Sequence, residues 1–208
     1  MYFANPTGAA VNYMKQHVLG YIDTPLQGNR RPDDVVWCAD NGCFNDKTFN
    51  EQRWWNWLEA NAHAAATCRF ATAPDVVGDH HATLTRSLPW LPKIRALGYP
   101  AAFVAQDGAT VDTLPCWDDF DCLFLGGTTE FKLGQTVREL AAEAHRQGKW
   151  VHGGRCNSKR RFRYMADELG CHSADGTYLV FAPDTNLPKL LSWIDDYNTQ
   201  PALFGGTQ

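Results

Sequence analysis

The sequence predicts an α/β fold, a compact single-domain (β/α)8-type barrel spanning 1–208. Three observations lead there. Short apolar runs recur along the chain, helix-patterned segments separate them, and a polar, Gly-containing cluster follows most runs. Runs this short and continuous fit strands buried on both faces, as in a parallel sheet. Strand–helix alternation leaves two architectures, a closed barrel or an open doubly wound sheet. An open sheet gathers its ligand loops near one switch point, so six polar loops spread along the chain favour the barrel. At 208 residues the chain is short for a fold that typically takes about 250.

The strand candidates are 35–39, 69–73, 101–105, 122–125, 150–152 and 178–181. Between them, 50–66 carries Trp54, Trp57, Leu58 and Ala62 at helical spacing. The segment 83–97 carries Leu84, Leu88, Leu91 and Ile94, with Pro89 and Pro92 as interruptions. The helix pattern of 135–147 stops at Gly148, and that of 158–169 at Gly170; both glycines suit helix ends. A last helix is expected over 187–197.

A net charge of −4 excludes a chain that binds polyanions over its whole surface. Any nucleic-acid contact must use a local patch, and the dense basic cluster is Arg155, Lys159, Arg160, Arg161 and Arg163. The eight Trp point to an aromatic core or a stacking site. Seven Cys, an odd number, several within apolar runs, fit reduced and largely buried thiols in a cytoplasmic protein. The start, Met1-Tyr2-Phe3-Ala4-Asn5-Pro6, lacks the basic and apolar regions of a signal peptide. No run approaches the roughly 20 apolar residues of a membrane span.

The chemistry-bearing residues lie in the polar clusters. Asp40-Asn41-Gly42-Cys43-Phe44 puts a carboxylate at a strand end, suited to general acid/base work or to capping a turn. Pro74-Asp75-Val76-Val77-Gly78-Asp79-His80-His81 offers Asp75 or Asp79 to read a base, or a cap for the following helix. Gln106, in Val104-Ala105-Gln106-Asp107-Gly108, both donates and accepts, which suits a purine edge. Gly126-Gly127-Thr128 exposes main-chain groups, without the Gly-Lys-Ser/Thr ending of a Walker loop. Gly153-Gly154-Arg155-Cys156-Asn157-Ser158 leads into the basic cluster, and Asp175 follows in a Gly-flanked turn. Neither a Gly-x-Ser-x-Gly element, a zincin motif nor a dinucleotide fingerprint appears. Cys43 and Cys156 are conceivable nucleophiles, but nothing in the sequence supplies a base for either.

Taken in order, these clusters resemble the tRNA-guanine transglycosylase superfamily. Within it they are most similar to the short phage-type, DpdA-like enzymes that place 7-deazaguanine bases in DNA. The resemblance runs from about Asp40 to Thr177. It implies a TIM barrel with Asp175 as nucleophile and Asp40 as general acid/base. Asp75 or Asp79, Gln106 and the Gly126-Gly127 backbone would recognise the base. Arg155, Lys159, Arg160 and Arg161 would grip phosphates. The tRNA enzymes carry a zinc site of three Cys and one His after the nucleophile. Here no Cys follows Cys171 and no His follows His172, so a chain without that subdomain is expected, with DNA as the partner.

The reaction so implied replaces guanine in DNA by a free 7-deazaguanine base through a covalent glycosyl–aspartate. It needs no cofactor or metal, and the target nucleotide must leave the base stack. If phage-encoded, the enzyme would work in the host cytoplasm, protecting phage DNA from restriction. Three alternatives stand beside it. They are the same exchange on tRNA, a metal-dependent barrel hydrolase using Asp40, His80, His81 and Asp175, and a non-enzymatic nucleic-acid-binding module.

Overall fold

A computed structural model describes residues 1–44 and 48–199. Eight parallel strands follow one another around a closed barrel: β1 (Tyr2–Ala4), β2 (Leu19–Asp23), β3 (Trp37–Ala39), β4 (Cys68–Thr72), β5 (Ala101–Ala105), β6 (Cys122–Leu125), β7 (Trp150–Gly153) and β8 (Ser173–Gly176). The fold is a TIM barrel in a single domain. Closure comes from β8 pairing with β1, in register Tyr2↔Ala174, Phe3↔Asp175 and Ala4↔Gly176.

The helices are α1 (Ala10–Lys15), α2 (Glu51–Ala60), α3 (His80–Ser87), α4 (Leu91–Ala96), α5 (Thr129–Leu133), α6 (Gln135–Arg146), α7 (Lys159–Arg163) and α8 (Pro183–Asn198). Four of the starts, those of α2, α3, α5 and α7, are set by side chains that take up otherwise unpaired N–H groups. Asn50 accepts from Arg53 N, Asp79 from Ala82 N, Thr128 from Phe131 N and Ser158 from Arg161 N. The expected helix over 83–97 is two helices. Pro89 lies in the break, and Pro92 sits in the first turn of α4, where its missing N–H costs nothing. Gly148 and Gly170 stand at φ +65° and +61°, the left-handed conformation that ends a helix. The expected helix over 158–169 is α7 continued by a wider π turn, Tyr164–Glu168.

Two departures concern strands. The run 178–181 is not a strand; its residues form a turn. Leu179 is buried and Tyr178 packs on Trp193, but Val180 and Phe181 are 51% and 69% exposed. The strand lies just upstream, so Asp175 sits within β8 rather than in a turn. The strands β1 and β2 were absent from the expectation; three residues and a Gly-interrupted run are weak signals.

The strands separate two apolar layers. Outside, Trp37, Trp54, Leu58, Leu140 and Val151 pack between strands and helices. Inside, Phe3, Ile22, Cys38, Phe70, Ala102 and Cys122 fill the barrel. A methyl group at Gly20 would overlap the Phe3 ring, so glycine there lets a large ring enter a narrow barrel. This filled interior leaves space for a ligand only beyond it, at the C-terminal strand ends. Among the described residues no helix is long and apolar enough to cross a membrane.

Candidate active site

A cavity of about 350 Å³ opens at the C-terminal strand ends, and Asp40, Asp75, Gln106, Gly126, Gly127, Arg155 and Asp175 all line it. Most of the residues singled out from sequence therefore converge, although they come from six different loops and strands.

Asp175 projects from β8 and is 6% exposed. One oxygen, Oδ1, accepts from Arg155 N at 2.8 Å; the other lies 3.1 Å from His152 Nε2. His152 is fully buried among Phe3, Phe70 and Phe124, at centroid separations of 6.0, 4.8 and 4.5 Å. Its Nδ1 is 2.8 Å from Ser173 Oγ, which accepts from Trp150 Nε1 at 2.8 Å. One assignment gives every donor an acceptor. Trp150 N–H donates to Ser173, Ser173 O–H to His152 Nδ1, and His152 Nε2–H to Asp175. The chain of donors ends on a carboxylate that only accepts.

Asp40 follows β3 and has a contrasting environment. Its Oδ1 accepts from Gly42 N at 2.7 Å, and Gly42 itself stands at φ +74°, which glycine adopts without strain. Burial, with the nearby Asp175 and Asp75 charges adding to it, raises its pKa to about 7. A carboxyl group half-protonated at neutral pH can both give and take a proton.

Asp75 is buried between two amides. Asn41 Nδ2 donates to Oδ1 at 2.8 Å and Gln106 Nε2 to Oδ2 at 2.5 Å. Burial raises its pKa, and the same two hydrogen bonds pull it back. Asn41 also donates to Ala73 O, and Gln106 Oε1 accepts from Gly78 N. One N–H of Gln106 and the outer lone pairs of Asp75 remain for a ligand.

Beyond β6, Gly126 N–H is taken by Ala105 O, so it is not free to donate to a base, the role expected of the Gly126-Gly127 backbone. Its contribution is the missing side chain, since a Cβ there would overlap Val104. Gly127, at φ +77°, has no partner for its N–H among the described residues. Asp107 holds this loop by accepting from both Thr128 N and Thr128 Oγ1.

Other expected residues lie elsewhere. Asp79 is exposed and caps α3, so Asp75 is the carboxylate of that loop in the cavity. His80 packs on Phe103, with Nε2 on Thr113 O, and His81 is exposed; the four residues of the metal-hydrolase alternative do not converge. Within the basic cluster only Arg155 lines the cavity. Arg161 reaches Thr129 Oγ1 and Arg155 O. Lys159 is paired with Asp196 of α8 at 2.6 Å, Arg163 with Asp167 at 2.6 Å, and Arg160 is exposed. The cluster is thus not a single phosphate clamp.

Burial and Asp175 push the Cys156 thiol up to about 12, and burial with Asp75 pushes Cys43 upward as well; neither is poised as a thiolate nucleophile. No Trp lines the cavity, so the Trp content serves packing. Sequence reading missed His152, Ser173, Asn41 and Lys132. A His at the end of an apolar run, immediately before the Gly153-Gly154 pair, was the available signal for the first.

No family model and no curated protein matches the chain. Among solved structures, an open form of tryptophan synthase from M. tuberculosis is similar at TM-score 0.57 and 16% identity, over 93% of this chain and 88% of that one. An enolase family member from Agrobacterium tumefaciens is similar at TM-score 0.48 and 13% identity, over 84% of this chain and 54% of that one. The likeness to tryptophan synthase, at that identity, speaks to the barrel and not to the reaction.

Proposed function

We propose that this protein is a base-exchange transglycosylase that replaces guanine in DNA with a 7-deazaguanine derivative. The observation that carries the reading is the pair of unlike carboxyl groups in one cavity. Asp175 accepts from fixed donors on both oxygens, whereas Asp40 has a proton affinity near neutrality. Two carboxyl groups with different protonation tasks are what a double displacement at a sugar carbon needs.

In the first step an Asp175 oxygen bonds to C1′ of the target nucleotide. The bond from C1′ to the guanine nitrogen breaks, its electron pair stays with the base, and that nitrogen takes the Asp40 proton. Guanine leaves. The incoming deazaguanine gives a proton back to the Asp40 carboxylate, and its nitrogen bonds to C1′, displacing Asp175. No oxidant, reductant or net proton is consumed. Asp75 suits the N1–H and N2–H donors of a guanine-like edge, and the spare Gln106 N–H and Gly127 N–H suit its O6 acceptor. The recognition set and the restriction to DNA rest on the family resemblance.

The test is an exchange and trapping assay. Protein is incubated with labelled guanine and single-stranded DNA, duplex DNA or tRNA, then run on a denaturing gel. The expected outcome is label exchange into DNA and a protein–DNA adduct, with Asp175→Asn reducing exchange at least about 10³-fold and giving no adduct. An equal adduct from Asp175→Asn removes the nucleophile assignment. Exchange confined to tRNA transfers the chemistry to the other polymer.

A further inference from the structure

Lys132 is 4% exposed and lines the cavity, yet the exchange chemistry above gives it no task. It sits on α5, and its Nζ donates to Gly154 O at 3.0 Å. An ammonium carries three N–H donors. Among the described residues Lys132 makes no ion pair and no other side-chain hydrogen bond. Asp175 lines the same cavity and its charge favours the ammonium through space, but it makes no ion pair with Lys132, its oxygens accepting from Arg155 N and His152. Tying α5 to the loop after β7 requires one neutral donor. It does not require a buried charge, which is costly to desolvate where no direct ion pair offsets it.

A second cation lines the same cavity. Arg155, although not glycine, holds φ at +60°, a strained conformation for a residue with a side chain and one that clusters at functional sites. That conformation accompanies the donation of its N–H to Asp175. Its guanidinium lies 4.3 Å from the Phe44 ring centroid, and it has no carboxylate partner among the described residues. Burial, with Arg155 adding to it and Asp175 opposing it, lowers the Lys132 amine to about 8, the direction expected of a cation beside another cation.

We infer that Lys132 and Arg155 form a seat for an anionic oxygen group carried by the ligand whose reacting end meets Asp175. The seat is a carboxylate- or phosphate-binding position. It rests on the base-exchange reading only for what carries the group. Either the incoming base bears a carboxylate, or the target nucleotide presents a phosphate.

Calorimetry on the full chain tests it, comparing wild type with Lys132→Met, which keeps the buried stem and removes the charge. Lys132→Gln serves as a second variant that retains a donor. The probes are 7-deazaguanine against 7-carboxy-7-deazaguanine, deoxyguanosine against its 5′-monophosphate, and inorganic phosphate alone. The expected result is that wild type prefers the anionic member of one pair by about 10-fold or more, and that both variants lose that preference while binding the neutral member as before. Preference in the base pair identifies a substituent carboxylate; preference in the nucleoside pair identifies a phosphate. If wild type prefers neither anion, or if both variants keep the preference, the seat does not exist. If no guanine derivative binds but inorganic phosphate binds at least about 10-fold more weakly to both variants than to wild type, the seat stands and the base-exchange reading falls.

Discussion

The cavity has two unlike walls. The wall built after β3, β4 and β5 holds Asp40, Asn41, Asp75 and Gln106, and there the last three bond to one another and to main-chain groups. The wall built after β6 and β7 holds Gly127, Lys132 and Arg155, whose donors are mostly unspent on the protein itself. Asp175 of β8 lies between them. A wall satisfied internally is set before a ligand arrives and contributes to the fold. A wall with spare donors gains its partners only from a ligand. The comparison therefore separates residues whose loss unfolds from those whose loss disarms.

The largest effect expected is on Asp40, which belongs to the first wall but is not tied into its network. Asp40→Asn should lower exchange by about 10²–10⁴-fold and remove the limb of the rate profile near pH 7. Its folded pKa, about 7, lies above the ordinary carboxyl value. The ionised group therefore opposes folding, by an amount that grows as pH rises from about 4 to 7. The asparagine variant should be more stable than wild type at pH 8, by about 2 kcal/mol once partial exposure is allowed for. That gain should fade as pH falls toward 4, read as the Tm difference between the two. A variant less stable than wild type at pH 8 contradicts this account of the site.

Asn41→Ala should cost about 1–3 kcal/mol of stability in urea melts, because it leaves Asp75 Oδ1 and Ala73 O without their buried donor. An unchanged melt would place the first wall with the second.

Ser173 acts on neither wall directly. Ser173→Ala removes the hydroxyl that donates to His152 Nδ1, so the ring can take the tautomer whose Nε2 lone pair faces Asp175. A loss of about 10-fold in kcat with little change in KM is expected, with Ser173→Thr restoring most of it. Equal behaviour of the two variants would reduce Ser173 to packing.

The smallest effects separate two members of the basic cluster. Arg155→Ala should leave stability within about 0.5 kcal/mol and lower the salt slope of DNA binding by about 1. Lys159→Ala, which loses only an exposed pair with Asp196, should change stability by at most about 1 kcal/mol and leave the slope alone. The reverse order in a binding titration would move the phosphate contact from the cavity rim to α7 and α8.

The sequence by itself determined the barrel and most of its mouth. Alternating short apolar runs and helical segments can be satisfied by few folds, and in a barrel residues just after each strand must meet at one end. That is why Asp40, Asp75, Gln106 and Arg155 were legible as a group. Local signals also set the helix stops at Gly148 and Gly170, since the left-handed turn needs nothing from the rest of the chain. Only the tertiary structure decided which strand closes the barrel. Ser173–Gly176 is polar and a poor strand former, whereas 178–181 is rich in strand formers; pairing with Tyr2–Ala4 and Gly153 overrides that preference. The tertiary structure likewise separated Asp75 from Asp79, because a cap and a cavity ligand differ in direction rather than in residue type. It also exposed Lys132, an ordinary surface residue by pattern, as a buried cation. Burial and partner geometry are properties of the packed chain, and no spacing rule carries them.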